Sequence, residues 1–350
     1  MSSDAERLTE LAVALVAIPS VSGHEQAITT WIADQVEAVD GVEIIHRQAD
    51  ALVFGRPGPW DVVLAGHTDT VPEQGNLPPR VEDGSVHGLG AADMKGSLAV
   101  MLALAREVPT LKLNPVFVVF GKEEVSFAES VLTPLLGLIP ELTHVPLALV
   151  MEPTANQLHA GCLGNINAEL TFHGRAAHSA RPWLGVNAIA EAVRGLAQVV
   201  DQAPHDVVID GLTYREVLSV TEMSAGIANN VIPDRARCVL NFRYAGNRSP
   251  AEAELTLRQR VGEGADLRIL SHAPGAPASL SNPVLQRLRA QGLEVRPKQA
   301  WTPAAEFAAS GVEAVNFGPG DPDFAHRRDE RVSVEAMVSC LTILRDFLCV

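Results

Sequence analysis

Apolar residues along this chain recur with two periods, and segments of the two kinds alternate. Leu8, Leu11, Ala12 and Leu15 fall on one face of a helix predicted over residues 4–17, which Pro19 stops. The pattern repeats over 24–39, between Gly23 and Gly41. Short strands at 42–45 and 51–54 lead to DVVLAG at 61–66, an unbroken apolar run of the kind found in a parallel strand covered on both faces. PVFVVF at 115–120 and PLALVM at 146–151 carry the same signature, 313–317 is a shorter apolar strand, and 293–296 is a further predicted strand. Helices are predicted at 97–107, 281–291, 302–310 and 333–348, and a polar, proline-containing loop at 72–83. This succession predicts an α/β fold with a mixed, largely parallel sheet flanked by helices.

From Asn165 the texture changes. Residues 166–172 alternate as a half-exposed strand, 173–182 form a polar turn, and a helix follows over 186–203. Strands at 215–223 and 235–243 flank the loop SAGIANNVIPD, a helix is predicted at 250–261, and a strand at 267–270 closes the set. The order β-α-β-β-α-β is that of a ferredoxin-like α+β unit. The expected organisation is therefore one domain made of 1–164 and 273–350, interrupted by a second at 165–272.

The polar residues at the ends of the apolar strands carry the candidate chemistry. His67 and Asp69 are two positions apart, so an extended chain points both to one side. That suits a metal ligand and the carboxylate that orients it, or an Asp cap beside a loop histidine. Asp93 precedes the 97–107 helix, as a cap or a ligand would. Glu123 and Glu124 end the 115–120 strand; adjacent side chains diverge, so one can meet a metal while the other meets a substrate. Glu152 ends the 146–151 strand, and His326 sits in the loop after 313–317. Each has an ordinary structural reading alone. Three buried strands ending in HxD, EE and E point together to a metal site.

Composition narrows the classes. A net charge of −15 over 350 residues argues against a nucleic-acid partner and fits a carboxylate-rich site offset by divalent cations. With 47% hydrophobic residues the chain can bury a large core, yet no apolar run reaches the length of a bilayer span, so no membrane role is expected. The N-terminus MSSDAERLTE is polar and acidic, unlike a signal peptide, and a cytoplasmic location is expected. Cys162, Cys238, Cys340 and Cys349 form no CxxC pair, which suits reduced thiols.

GHTDTVP, GLGAADMKGS, EEV, MEPT, GRAAHSARP, NVIP with a later NFRY, and GPGDPxxAHxxDE follow one another in an order that resembles the dinuclear zinc amidohydrolases. That family includes desuccinylases, deacetylases, aminoacylases and dipeptidases. The resemblance spans about residues 5–348, and its wording is closest to the succinyl-diaminopimelate desuccinylases. It implies two zinc ions per subunit, with cobalt or manganese as substitutes. His67 and Glu152 would bind one ion, Glu124 and His326 the other, and Asp93 would bridge them across a cis Asp93–Met94 peptide. It further implies that Asp69 orients His67 and Glu123 is the general base. His178 would stabilise an oxyanion from the partner subunit, while Asn230 and Arg243 contact the substrate. The inserted domain becomes a lid and the interface of a homodimer. The implied reaction is hydrolysis of N-succinyl-LL-2,6-diaminopimelate, with deacetylation of acetylornithine or acetyl-lysine, or dipeptide hydrolysis, as alternatives. Departures fall at Leu89, Lys122, Pro303 and Glu306; at Glu306 members carry a cation, so recognition of an anionic substrate is the property it puts in question. A metal-stabilised binding protein is the non-enzymatic alternative. Glu123 argues against it, since structural zinc needs closed coordination and no neighbouring base.

Overall fold

The computed structural model describes residues 3–349. Its chain divides into two compact units, one made of Met1–Gly161, Ala278–Lys298 and Thr302–Val350, the other of Cys162–Pro277 and Gln299–Trp301.

The first unit is built on an eight-stranded sheet in the spatial order Glu43–Arg47, Ala51–Gly55, Pro115–Phe120, Val62–His67, Ala148–Val150, Ala314–Asn316, Leu158–Ala160, Val295–Pro297. Pro115–Phe120, Val62–His67, Ala148–Val150 and Ala314–Asn316 run parallel to one another, and Leu158–Ala160 is parallel to Val295–Pro297; the remaining neighbours are antiparallel. Alternate residues of one strand enter different cores. Val62 and Leu64 pack with the helices Asp4–Ala17 and Val334–Leu348, while Val63 and Ala65 pack with Leu132–Leu138 on the other face. Because both faces are covered, the inner strands Ala51–Gly55, Pro115–Phe120 and Ala148–Val150 carry no polar alternation. The helix Gly96–Ala105 is buried at all ten residues, as an apolar surface on every side requires. Among the described residues no helix is long and apolar enough to cross a membrane.

The second unit has five antiparallel strands in the order His205–Ile209, Leu212–Ala225, Arg235–Tyr244, Gly164–His173, Asp266–Ala273. Without the first, this is the strand order of the predicted ferredoxin-like plan. Ile166, Ala168 and Leu170 pack with Ala236, Cys238 and Leu240 against the helices Ala188–Val200 and Pro250–Val261. Odd-numbered residues of these two strands therefore face the opposite side. Glu216 is fully buried and binds Arg248, Arg260 and the N–H of Ala245. Glu216→Ala is expected to destabilise the chain by about 3 kcal/mol in a denaturant titration, because two partly buried guanidinium groups lose their anion. A loss below about 1 kcal/mol would show that water replaces the carboxylate.

One local expectation is corrected, and two elements are added. The 72–83 loop contains the strand Arg80–Glu82, which pairs with Ser85–His87 and through it with Arg331–Ser333. His205–Ile209 is a further strand. Both extra hairpins turn at Asp-Gly, with φ of 47° and 70° at Asp83 and Gly84 and 49° and 79° at Asp210 and Gly211. Left-handed backbone at both positions is what a two-residue hairpin needs. Leu132–Leu138 is a helix despite Pro134 and Gly137, its stability coming from Leu132, Leu135 and Leu136 buried against the sheet.

Candidate metal centre

Parallel strands bring their carboxyl ends to one edge, and the first unit collects its polar residues there. His67 is the last residue of Val62–His67; Glu123 and Glu124 follow Pro115–Phe120; Glu152 follows Ala148–Val150; His326 lies beyond Ala314–Asn316. His67 is 1% exposed. Its Nδ1 lies 3.0 Å from the main-chain oxygen of Asp69 and 3.5 Å from the Asp69 carboxylate. A carbonyl only accepts, so the ring proton sits on Nδ1 and the Nε2 lone pair is offered to the cluster. Nε2 lies 3.1 Å from Asp93 Oδ1 and 3.9 Å from Glu152 Oε1.

The other oxygen of Asp93 faces elsewhere. Asp93 Oδ2 is 3.7 Å from His326 Nε2, which is itself 2.7 Å from Glu124 Oε1. Asp93 does not cap the Gly96–Ala105 helix; its φ/ψ of −127°/92° is extended and its peptide bond to Met94 is cis. Potential ligand atoms of His67, Asp93 and Glu152 lie within 4.8 Å of one another, as do those of Asp93, Glu124 and His326. A third set, His67, Glu123 and Glu124, meets the same limit.

Carboxylates that join none of these sets shape the loops around them. Asp69 accepts from Ser22 Oγ at 2.6 Å and from the N–H groups of Glu123 and Glu124 at 3.1 and 3.0 Å. Burial opposes its ionisation, but the His67 ring, Ser22 and the Glu124 N–H outweigh it and hold its pKa at about 2. Glu330 accepts from the N–H groups of Gly90, Ala92 and Asp93 at 3.0 to 3.1 Å, fixing the turn that carries Asp93. Glu25 accepts from Gly23 and Lys122 at 2.7 and 3.1 Å. Gly318 has a positional reason to be glycine: a Cβ there would collide with the main-chain oxygens of Met151 and Glu152.

The donor set fits divalent cations. Glu152 Oε1 is buried without a hydrogen-bond partner, an arrangement that costs free energy unless a cation meets the oxygen. Glu152 is pushed up to about 7 by burial and then by Asp93, and Glu123 is raised by burial and then by Glu152. Carboxylates crowded in this way are stabilised as anions by a dication. Imidazole and carboxylate together suit zinc, manganese or cobalt.

The sequence reading missed two neighbours of the centre. Lys298 is 6% exposed, with Nζ 3.2 Å from Pro153 O and 3.8 Å from Glu152 Oε2; no local pattern marks it. Glu330 was signalled only as the last acid of AHRRDE. Glu306, the departure expected to bear on substrate recognition, is 2% exposed and accepts from Ser130 Oγ, Thr133 N and Thr133 Oγ1. Its charge is thus spent on fastening the start of Leu132–Leu138. Lys122, another departure, pairs with Asp50 at 3.2 Å.

In the second unit His178 and Asn230 come together. Ala177–His178 pairs with Val231–Ile232, and Ser179 N–H donates to Asn230 O at 2.9 Å. Both side chains are exposed. Arg243 lies on the five-stranded sheet, on the face away from the helices.

A succinyl-diaminopimelate desuccinylase of Corynebacterium glutamicum is 41% identical over 95% of this chain and 94% of its own. A tripeptidase from Staphylococcus aureus superposes with a TM-score of 0.79 at 19% identity, covering 98% of this chain and 97% of that one. A dinuclear metal binding peptidase of the M20 family from Bacillus subtilis does so with a TM-score of 0.68 at 17% identity, covering 99% and 98%. The model of peptidase family M20/M25/M40 matches residues 63–349, from the strand that delivers His67 to the final helix, and the chain belongs to that family.

Proposed function

We propose that this chain holds two zinc ions and hydrolyses N-succinyl-LL-2,6-diaminopimelate to succinate and LL-2,6-diaminopimelate. The observation that carries the dinuclear reading is the Asp93 carboxylate, with Oδ1 toward His67 and Oδ2 toward His326. In this reading His67 and Glu152 hold one ion, Glu124 and His326 the other, and Asp93 both. The bound ions supply Lewis acidity toward the amide carbonyl and the attacking water. Asp69 orients His67 and holds the backbone of the two glutamates. Glu123 takes the water's proton and passes it to the departing amine. His178 donates to the developing oxyanion, and Asn230 and Arg243 contact the substrate. The name of the Corynebacterium glutamicum relative supports the choice of substrate.

The chain acts as a homodimer through its second unit, a reading supported by the exposed Ile189, Val193 and Val200 on one side of Ala188–Val200. Its four free cysteines accord with a cytoplasmic location. Zinc-loaded protein tested on a panel of N-acyl amino acids should favour the N-succinyl substrate over N-acetylornithine and N-acetyl-lysine by about 10²-fold or more in kcat/KM. The reverse preference would make it a deacetylase. No hydrolysis of any acyl amino acid or dipeptide by metal-loaded protein would leave a binding protein.

A further inference from the structure

One row of side chains on the helix-free face of the second unit's sheet is polar on four successive strands. Ser219 is opposite Asn241, Asn241 opposite Asn167, and Asn167 opposite Ser271. The next row places Arg243 opposite Asn165. The hydrogen bonds between these groups run in one direction. Arg243 Nε donates to Asn241 Oδ1 at 3.0 Å. Guanidinium can only donate, so the oxygen of Asn241 must face it. The Asn241 amide nitrogen then donates to Asn165 Oδ1 and Asn167 Oδ1, each at 2.7 Å, and Asn167 Nδ2 donates to Ser271 Oγ at 2.9 Å. Both amide hydrogens of Asn241 and its oxygen are thereby committed.

Arg243 is half-buried, and no carboxylate of the described residues pairs with it; burial alone lowers its pKa. With Nε tied to Asn241, the two Nη groups remain as a fork, the edge that meets a carboxylate through two parallel bonds. We infer that Asn165, Asn167, Asn241 and Ser271 form an amide ladder that aims the Arg243 fork at a carboxylate of the substrate, with Asn241 as the positioning residue that sets specificity for an acid over its neutral amide. This rests on the proposed role of Arg243 in substrate contact.

The test compares N-succinyl-LL-2,6-diaminopimelate with analogues in which one carboxylate at a time is a carboxamide. Asn241→Asp preserves shape but turns two donors into an acceptor facing Asn165 and Asn167, and sets an anion against Arg243. It should raise KM for the acid about tenfold, with kcat within about threefold, and shrink the preference for acid over one amide by the same factor. Arg243→Ala should remove that preference altogether. Asn167→Ala, which deletes one acceptor and leaves the charge alone, should move KM in the same direction and serves if Asn241→Asp does not fold. Loss of preference in Arg243→Ala with unchanged values in both asparagine variants overturns the ladder and leaves the role of Arg243 standing. An unchanged preference in Arg243→Ala overturns both. Should the substrate not be hydrolysed at all, calorimetric titration of metal-free protein with succinate decides: about tenfold weaker binding by Asn241→Asp supports the ladder, and equal or absent binding overturns it.

Discussion

Glu123→Gln should keep the fold and two bound metal ions per chain while turnover falls by about 10²- to 10⁴-fold. Glu123 follows a strand buried on both faces, and its N–H is tied to Asp69 Oδ1, so the backbone at this point has little freedom. The adjoining Glu124 is the one drawn to His326, at 2.7 Å. That division of labour between neighbours leaves Glu123 as the carboxylate available for proton transfer. Glutamine has nearly the same shape but cannot take a proton at neutral pH, so the substitution separates base from ligand. The competing arrangement is the set of His67, Glu123 and Glu124, in which Glu123 would itself bind an ion. Metal analysis and kinetics on one sample distinguish the two. Loss of one metal equivalent makes Glu123 a ligand, and substantial turnover with both ions present removes it from the chemistry.

His178→Ala should lower kcat by about 10²- to 10³-fold, the effect of deleting one oxyanion donor. The local geometry suits a donor. His178 Nδ1 accepts from the Ala180 N–H at 3.1 Å, so the neutral ring carries its proton on Nε2. The exposed imidazole therefore presents an N–H without needing to be protonated. If this donor serves the partner subunit's centre, two inactive variants complement each other. Mixing Glu123→Gln with His178→Ala subunits after dissociation makes about half of the dimers mixed, each with one intact centre, so about a quarter of full activity should return. No recovery after proven subunit exchange would confine His178 to its own chain or take it out of the reaction.

Much of the scaffold was legible because burial writes a period into the chain. Asp4–Ala17, Pro115–Phe120 and Pro250–Val261 have the bounds the pattern predicts, since a buried helix face or a doubly covered strand constrains every residue in it. His67, Glu124 and Glu152 were legible for a related reason: they stand at or just after buried apolar strands, and parallel strands must deliver their ends to one edge. The three-residue strands Arg80–Glu82 and Ser85–His87 are too short to show any period, and only their Asp-Gly turn announced them. Tertiary structure alone decided which partner each polar group meets. Glu330 on the Asp93 turn, Lys298 beside Glu152, Glu306 fastening Thr133 and Asn241 between two other asparagines are all pairs far apart in sequence. Their pairing depends on strand register and loop approach. Local periodicity records only whether a residue is inside or outside, so the composition of the sites was written in the chain and their wiring in the fold.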